Sequence, residues 1–254
     1  MKKLIFTSIF AILSFFSHAQ IDKTYFGITF LSTDFLSTTQ NQSKLLPTSR
    51  NDGLDRLIIN HHFSGQYHFL IANRVELNVG LGLNLQYYSL KGQEHLSVYN
   101  EFLNTDRVLL PSEDNDEVAK LRFNNVKATL PIGVKFFFKK DPLEGAQPAF
   151  SLQFLTEQNV HSRVNARYIT GRDYLFTHRS GNSSIDSEIE HFYQKAVTKL
   201  VHSLRIGFSF QHGGVGVPVR QSSFDVHYVH YFESFDSGIT KSAKGISCAW
   251  KWQF

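Results

Sequence analysis

The 254-residue chain sets 26 Lys and Arg against 22 Asp and Glu, for a formal charge of +4, and carries 24 Phe. Its single cysteine, Cys248, excludes an intramolecular disulfide framework and any cysteine metal cluster. The basic residues are scattered, without the stripe that marks a nucleic-acid partner, and beyond residue 20 no run of about 18 apolar residues offers a membrane-spanning helix.

Residues 1–19 read as a signal peptide. Lys2 and Lys3 precede an apolar run too short for a confident membrane span, and Ser17-His18-Ala19 sets small residues before a cut ahead of Gln20. The mature chain, residues 20–254, has the length of one all-β domain.

Alternation of apolar and polar residues is the signal that runs through this domain. In residues 22–32, Phe26, Ile28 and Phe30 oppose Tyr25, Gly27, Thr29 and Leu31. In residues 57–69, Leu57, Ile59, Phe63, Tyr67 and Phe69 oppose Asn60, His62, Ser64, Gln66 and His68. Residues 75–88 alternate Val75, Leu77, Val79, Leu81, Leu83, Leu85 and Tyr87 with Glu76, Asn78, Gly80, Gly82, Asn84, Gln86 and Tyr88. A fourth strand spans about 121–138, with Val126, Ala128, Leu130, Ile132, Val134, Phe136 and Phe138 on its apolar face. Phe150, Leu152 and Phe154 mark the fifth, Leu204, Ile206, Phe208 and Phe210 the sixth, and Phe224, Val226, Tyr228, His230 and Phe232 the seventh. The eighth, residues 245–254, places Ile246, Cys248, Trp250, Trp252 and Phe254 on one face.

Connections after the second, fourth and sixth strands are short. Those after the first, third and fifth are long, covering residues 33–53, 91–120 and 158–199, and a shorter one lies near 234–239. Short and long connections therefore collect at opposite ends, as in transmembrane barrels with an even strand number and both termini on the periplasmic side. The expected fold is all-β: a closed antiparallel transmembrane β-barrel of eight strands. Ten strands is the alternative, since residues 160–169 and 174–178 can form another hairpin. A soluble barrel or sandwich alternates too, with its apolar face turned inward. The Asn, Gln, His, Ser and Gly of the polar face, in place of the Lys and Glu of a wet surface, favour the membrane form.

The Ala19-Gln20 processing site, Leu130-Pro131-Ile132-Gly133-Val134-Lys135-Phe136 and the terminal Trp252-Gln253-Phe254 resemble the small outer-membrane β-barrel family of Gram-negative bacteria, which includes PorT-like proteins within the OmpA-like group. The resemblance implies location in the cell outer membrane and contact with outer-membrane lipid, lipopolysaccharide and the barrel-assembly machinery. Trp250, Trp252 and Phe254 then form the assembly signal. No peptidoglycan-binding domain is expected to follow. Because the fold hosts adhesive, structural, secretion-associated and enzymatic members, it leaves the activity open.

Histidine, at 12 residues, invites a catalytic or metal reading. On a strand, however, His227 and His230 point to opposite faces, as do His61 and His62, and His62 and His68 lie about 20 Å apart. They are expected to be neutral hydrogen-bonding groups in the lumen. A lipid A deacylase of similar architecture uses a lipid-facing His-x-Ser pair. Here that spacing recurs as His62-Phe63-Ser64, His95-Leu96-Ser97 and His178-Arg179-Ser180, the first on the lumen face and the others in loops. Gly213-Gly214-Val215-Gly216 lacks the Lys-Ser/Thr of a phosphate loop. No enzyme, cofactor or metal is expected.

The remaining candidate is residues 158–199. Arg163, Arg167, Arg172 and Arg179 interleave with Tyr168, Tyr174 and Phe176, a composition suited to lipopolysaccharide phosphates or an envelope protein partner. Its second half spaces Ile185, Ile189, Phe192 and Ala196 helically, behind a Ser183–Asp186 start signal. The expected function is structural or external-loop binding. An accessory role in secretion and a lipid-modifying or proteolytic activity are the alternatives.

Overall fold

A computed structural model describes residues 21–37, 57–71, 74–92, 117–138, 146–170, 176–178, 183–213, 221–236 and 242–254. The signal peptide assigned to residues 1–19 lies outside them. The elements are β1 (Ile21–Ser37), β2 (Leu57–Ile71), β3 (Val75–Gly92), β4 (Glu117–Phe137), β5 (Ala146–Thr170), β6 (Phe176–His178), α1 (Ser183–Ala196), β7 (Leu200–Gly213), β8 (Gln221–Tyr231) and β9 (Lys244–Gln253).

All pairings are antiparallel. The order is β4-β3-β2-β1-β9-β8-β7-β5-β6, and β4 also pairs with β5, which closes the sheet. Eight staves make the barrel. The three-residue β6 pairs only with Tyr168, Ile169 and Thr170 at the far end of β5, so the extra hairpin exists but stands above the wall instead of widening it. Closure joins the chain ends: β1 and β9 pair from Gly27↔Gln253 to Ser37↔Lys244, and the Phe254 amide donates to the Phe26 carbonyl at 2.8 Å.

The polarity of the wall decides between membrane and water. Leu81, Leu83, Phe208, Phe210, Tyr228 and Trp250 are exposed on the outside, while Asn60, Gln86, Lys127, Lys135, Glu157 and Asp225 are buried inside. This arrangement is inverted relative to a soluble barrel and suits a hydrocarbon surround. Toward the short-turn end, rings touch from stave to stave. Phe136, Phe150 and Phe208 follow one another at 6.5 and 6.2 Å, Phe224 meets Trp250 at 6.5 Å, Trp252 meets Phe30 at 4.4 Å, and Phe26 meets Tyr67 at 5.3 Å. They form an aromatic girdle of the kind found at a membrane interface.

Two local departures follow from backbone chemistry. A bulge in β1 between Thr29 and Ser32 turns Leu31 outward, where simple alternation places it inward. On β3 and β4 the pairing passes from Val79↔Ile132 to Gly82↔Thr129, with Pro131, which has no N–H to donate, between them. Gly80 and Gly82 permit the close approach of β2. A Cβ on either would lie 2.2 Å from a carbonyl oxygen, that of Gly65 or Phe63 respectively.

The strands outrun their sequence-derived limits at the long-loop end. β5 continues for 25 residues, through the first part of the segment read as a loop, and α1 then occupies its second part as the helical spacing predicts. A membrane crossing needs only about 9–11 strand residues, so the wall projects well beyond the apolar band. In this projecting storey the inside becomes apolar: Leu36, Ile58, Tyr88, Leu121, Phe123, Val164, Val201, Val229 and Tyr231 pack with Tyr193 of α1, Val197 and Phe235. On the outside of the same level Arg122, Asn124, Arg163 and Lys244 are exposed. The upper storey is thus built as a barrel in water.

Candidate functional site

Within the membrane level, the lumen is filled by charge. Asp34 on β1 receives Arg205 Nη2 from β7 at 2.8 Å, and His62 Nε2 from β2 lies 2.8 Å from the same carboxylate oxygen. His62 Nε2 is also 2.8 Å from Arg205 Nη2, so a single proton lets it either donate to Asp34 or accept from Arg205. Glu157 on β5 accepts Asn84 Nδ2 at 2.9 Å, Tyr231 Oη at 3.2 Å and Lys127 Nζ at 3.3 Å. Every one of these side chains is buried. A buried charge is tolerable only when paired and hydrogen-bonded, and Asp34, Arg205, Glu157 and Lys127 each find an oppositely charged partner in a cluster drawn from seven of the eight staves.

A second cluster lies nearer the turns. Lys251 Nζ reaches Asp225 Oδ2 at 2.8 Å, Lys135 Nζ lies 3.7 Å from Asp225 Oδ1, and Ser209 accepts from Lys135 at 3.0 Å while donating to Asp225 at 2.5 Å. A third holds Glu76 against His68 Nδ1 at 2.6 Å with Tyr25 Oη bonded to the same carboxylate and stacked on His68. The Asn and Gln neighbours expected for the lumen histidines give way to charged ones at two positions, Asp34 and Arg205 for His62 and Glu76 for His68. That expectation overlooked Asp34 and Glu157, single acids within strand-like sequence that drew no notice without their cross-barrel partners.

A cavity of ≈ 20 Å³ opens beside Thr29, Ser32, His62, Gln66, Arg205 and His227. Thr29 Oγ1, Ser32 Oγ, Gln66 Oε1, Arg205 Nε and His227 Nε2 are buried without a protein partner. The volume suits one or two waters, which would satisfy several of these atoms. Among the described residues no group of His, Cys, Asp and Glu is arranged to hold a metal ion.

Above the charged clusters sits the apolar plug. Phe235, from the connection between β8 and β9, stacks edge-on to Tyr231 at 4.7 Å and lies 4.4 Å from Lys127 Nζ in a cation–π contact. Its carbonyl accepts the Thr198 amide at 2.8 Å, and Asp236 bridges to Val197 and accepts Tyr88 Oη at 3.0 Å. This connection, read from sequence as a plain loop near residues 234–239, is what ties α1 to the mouth of the barrel. At the rim, Glu233 accepts both the amide and Nδ1 of His202, at 2.6 and 2.9 Å.

The sequence-selected loop residues do not form one cluster. Arg163 is exposed on the outer face of β5 with Asn124 as its register partner. Arg167 and Tyr168 also belong to the β5 strand, opposite Lys120 and Ala119, so they are wall positions rather than loop positions. Arg172, Tyr174 and Arg179 lie outside the described residues. Trp250 and Trp252 are exposed on β9, and Phe254 ends the chain beside β1. Of the three His-x-Ser triplets, the first has His62 inside the lumen, as its alternation implies. The second lies outside the described residues, as do Arg179 and Ser180 of the third.

No family model matches the chain, and no curated protein matches it. Among solved structures it is similar to Neisserial surface protein A at 7% identity, covering 92% of this chain and 100% of that one, with a TM-score of 0.37. Ail, the attachment invasion locus protein of Yersinia pestis, solved with the heparin analogue sucrose octasulfate, is 10% identical, with coverage of 91% and 97% and a TM-score of 0.30. The outer membrane protease OmpT from Escherichia coli is 5% identical, with coverage of 91% and 96% and a TM-score of 0.33. At these scores the assignment of the fold rests on the strand order, closure and inverted polarity described above.

Proposed function

We propose that this chain is an outer-membrane barrel with a structural or external-binding role, acting through the storey that projects beyond the membrane. The observation that carries this reading is the contrast between the two ends: a lumen occupied by paired charges and capped by Phe235 and Tyr193, against a wall prolonged by β5, β6 and α1. The buried acids and histidines are engaged with partners across the barrel, which favours a supporting role for them over catalysis. The PorT-like resemblance belongs to this proposal, carried by the β4 segment 130–136 and the β9 ending. A secretion-associated role would need a stable envelope partner.

Orientation tests the reading. In a Cys248→Ala background, Lys195→Cys on α1 should react with a membrane-impermeant maleimide in intact cells, whereas Arg74→Cys in the β2–β3 turn should react only after lysis. Both residues are exposed. Labelling of the Arg74 variant in intact cells, with protection of the Lys195 variant, would reverse the topology and end the proposal.

Trp250, Trp252 and Phe254 are proposed as the signal read by the barrel-assembly machinery. Deleting Phe254 removes the ladder bond to Phe26 and the last ring of β9. Folded, heat-modifiable yield in the outer membrane should fall several-fold, while protein that does fold should keep its stability to within about 1 kcal/mol, the net worth of one hydrogen bond. Undiminished yield would contradict the role.

A further inference from the structure

We propose that the cavity in the lumen beside β1, β7, β8 and β9 is a binding site for a single halide ion, chloride being the natural occupant. The site lies apart from the external storey and requires only the closed barrel.

The bulge in β1 makes the site. Thr29 pairs with Ser64 and Ser32 with His62, so Phe30 and Leu31 together oppose Phe63 alone. On the other side of β1 the same two residues face Trp250, between Lys251 and Ala249. Unbroken alternation carries Thr29 and Leu31 inward. The extra residue instead sends Phe30 and Leu31 out and turns the hydroxyls of Thr29 and Ser32 into the lumen together. Across from Ser32 stands Ala249, a small buried side chain that leaves the space open.

The wall is rich in hydrogen-bond donors. Arg205 gives Nη2 to Asp34 and Nη1 to Ser247, which leaves Nε buried without a partner, and an arginine nitrogen can only donate. Thr29 Oγ1, Ser32 Oγ and His227 Nε2 are likewise buried and unpartnered. Each can donate, the histidine nitrogen in one of its tautomers. Gln66 completes the set: its Nε2 donates to Ser64 and its Oε1 has no partner. Exchanging the two amide ends lets Ser64 donate to the oxygen and brings the NH2 to the unpartnered position.

Charge points the same way. Arg205 and Lys251 line the cavity, their counter-ions Asp34 and Asp225 do not, and among the described residues no other carboxylate lines it. Each ion pair thus turns its positive end to the space, inside a lumen where screening is weak. Pro131 and Leu155 form part of the remaining wall. At ≈ 20 Å³ the space holds about one water-sized sphere, which excludes phosphate, sulfate and carboxylates and admits a monatomic anion. Water must also place its own hydrogens, and neither Arg205 Nε nor a Gln66 NH2 can accept them. A halide accepts from all of these donors at once.

The test uses the full mature barrel and bromide, with sodium isethionate holding the ionic strength constant. Urea unfolding from vesicles, read by heat-modifiable mobility, should show the folded-to-unfolded ratio rising about tenfold for each tenfold increase in bromide above half-saturation, as linkage to one site requires. Crystals grown in bromide should show anomalous scattering between Thr29, Ser32, Arg205 and His227. Thr29→Val with Ser32→Ala should abolish most of the bromide response, and Ser203→Ala should keep all of it, since Ser203 is also buried and unpartnered but does not line the cavity. An unfolding ratio indifferent to bromide overturns the proposal, as does a bromide response unchanged in the double variant. If the double variant does not fold, the wild-type diffraction decides: density in the cavity without anomalous signal is water and overturns the proposal. Failure of the wild type to give a heat-modifiable form contradicts the closed barrel, and the site with it.

Discussion

Arg205→Ala should destabilise the barrel by about 3–5 kcal/mol, the cost of removing one partner from a buried ion pair. The guanidinium is held at 2.8 Å by Asp34 and is buried along with it. Its loss leaves an uncompensated carboxylate in the lumen, beside Glu157 and at a level where the outer wall faces hydrocarbon. Urea unfolding from lipid vesicles, followed by heat-modifiable mobility, measures the effect. Asp34→Asn on the same background should recover part of the loss, because it removes the orphaned charge, and the non-additivity gives the coupling directly. A shift in the single variant below about 1 kcal/mol, the scale of an exposed pair, would mean that water reaches this cluster freely.

Phe235→Ala should open the external storey while leaving the membrane level closed. The ring is buried, packs on Tyr88 and Tyr231, and covers Lys127. Truncating a buried Phe costs about 3–5 kcal/mol. Here the loss should appear as local opening, because the ion pairs below it do not include Phe235. Trypsin added to protein in vesicles should cut at Lys195 or Lys199, both exposed at the end of α1, at least tenfold faster than in the wild type, a factor that requires only about 1.4 kcal/mol of local destabilisation. Heat-modifiable mobility of the remaining barrel should persist. Unchanged cleavage would show that α1 is held by contacts other than this plug.

The membrane level was legible because its staves, the bulge in β1 aside, carry outward apolar rows against polar inward ones. Leu77 to Tyr87 against Glu76 to Tyr88 is the plainest case, and the burial of Asn60, His62, Gln66, Asn78, Gln86, Arg205 and His227 follows from it. Legibility stopped where the inside becomes apolar. Tyr88, Phe123, Val164 and Tyr231 sit on inward faces, opposite Arg122, Asn124 and Arg163 on outward ones, so the alternation that defines a lipid-facing strand changes sign along the same strand. The end of that pattern looked like the end of the strand, and β5 was read as stopping well short of Thr170. The ion clusters were hidden for another reason. Asp34, Glu157 and Arg205 are separated widely in sequence and meet only after closure, and no local period encodes such a meeting. Arg163 and Arg167 stood out by composition, but that they belong to the β5 strand, in register with β4, follows only from the pairing.

The sign change along the strands also fixes how deeply the protein rides in its bilayer. If the barrel sank by two residues, Arg163 and Asn124 would enter hydrocarbon while the rings of the short-turn end left the interface for water, and if it rose by the same amount, the exposed Arg74 of the β2–β3 turn would be drawn toward hydrocarbon. The penalty for an immersed arginine grows from about 0–1 kcal/mol near the surface to about 2–4 kcal/mol at the midplane. With Arg122 and Arg163 on one side of the wall and the aromatic girdle at the other end, the barrel should keep its depth and accommodate a thicker or thinner membrane by making the surrounding lipid stretch or compress to meet it.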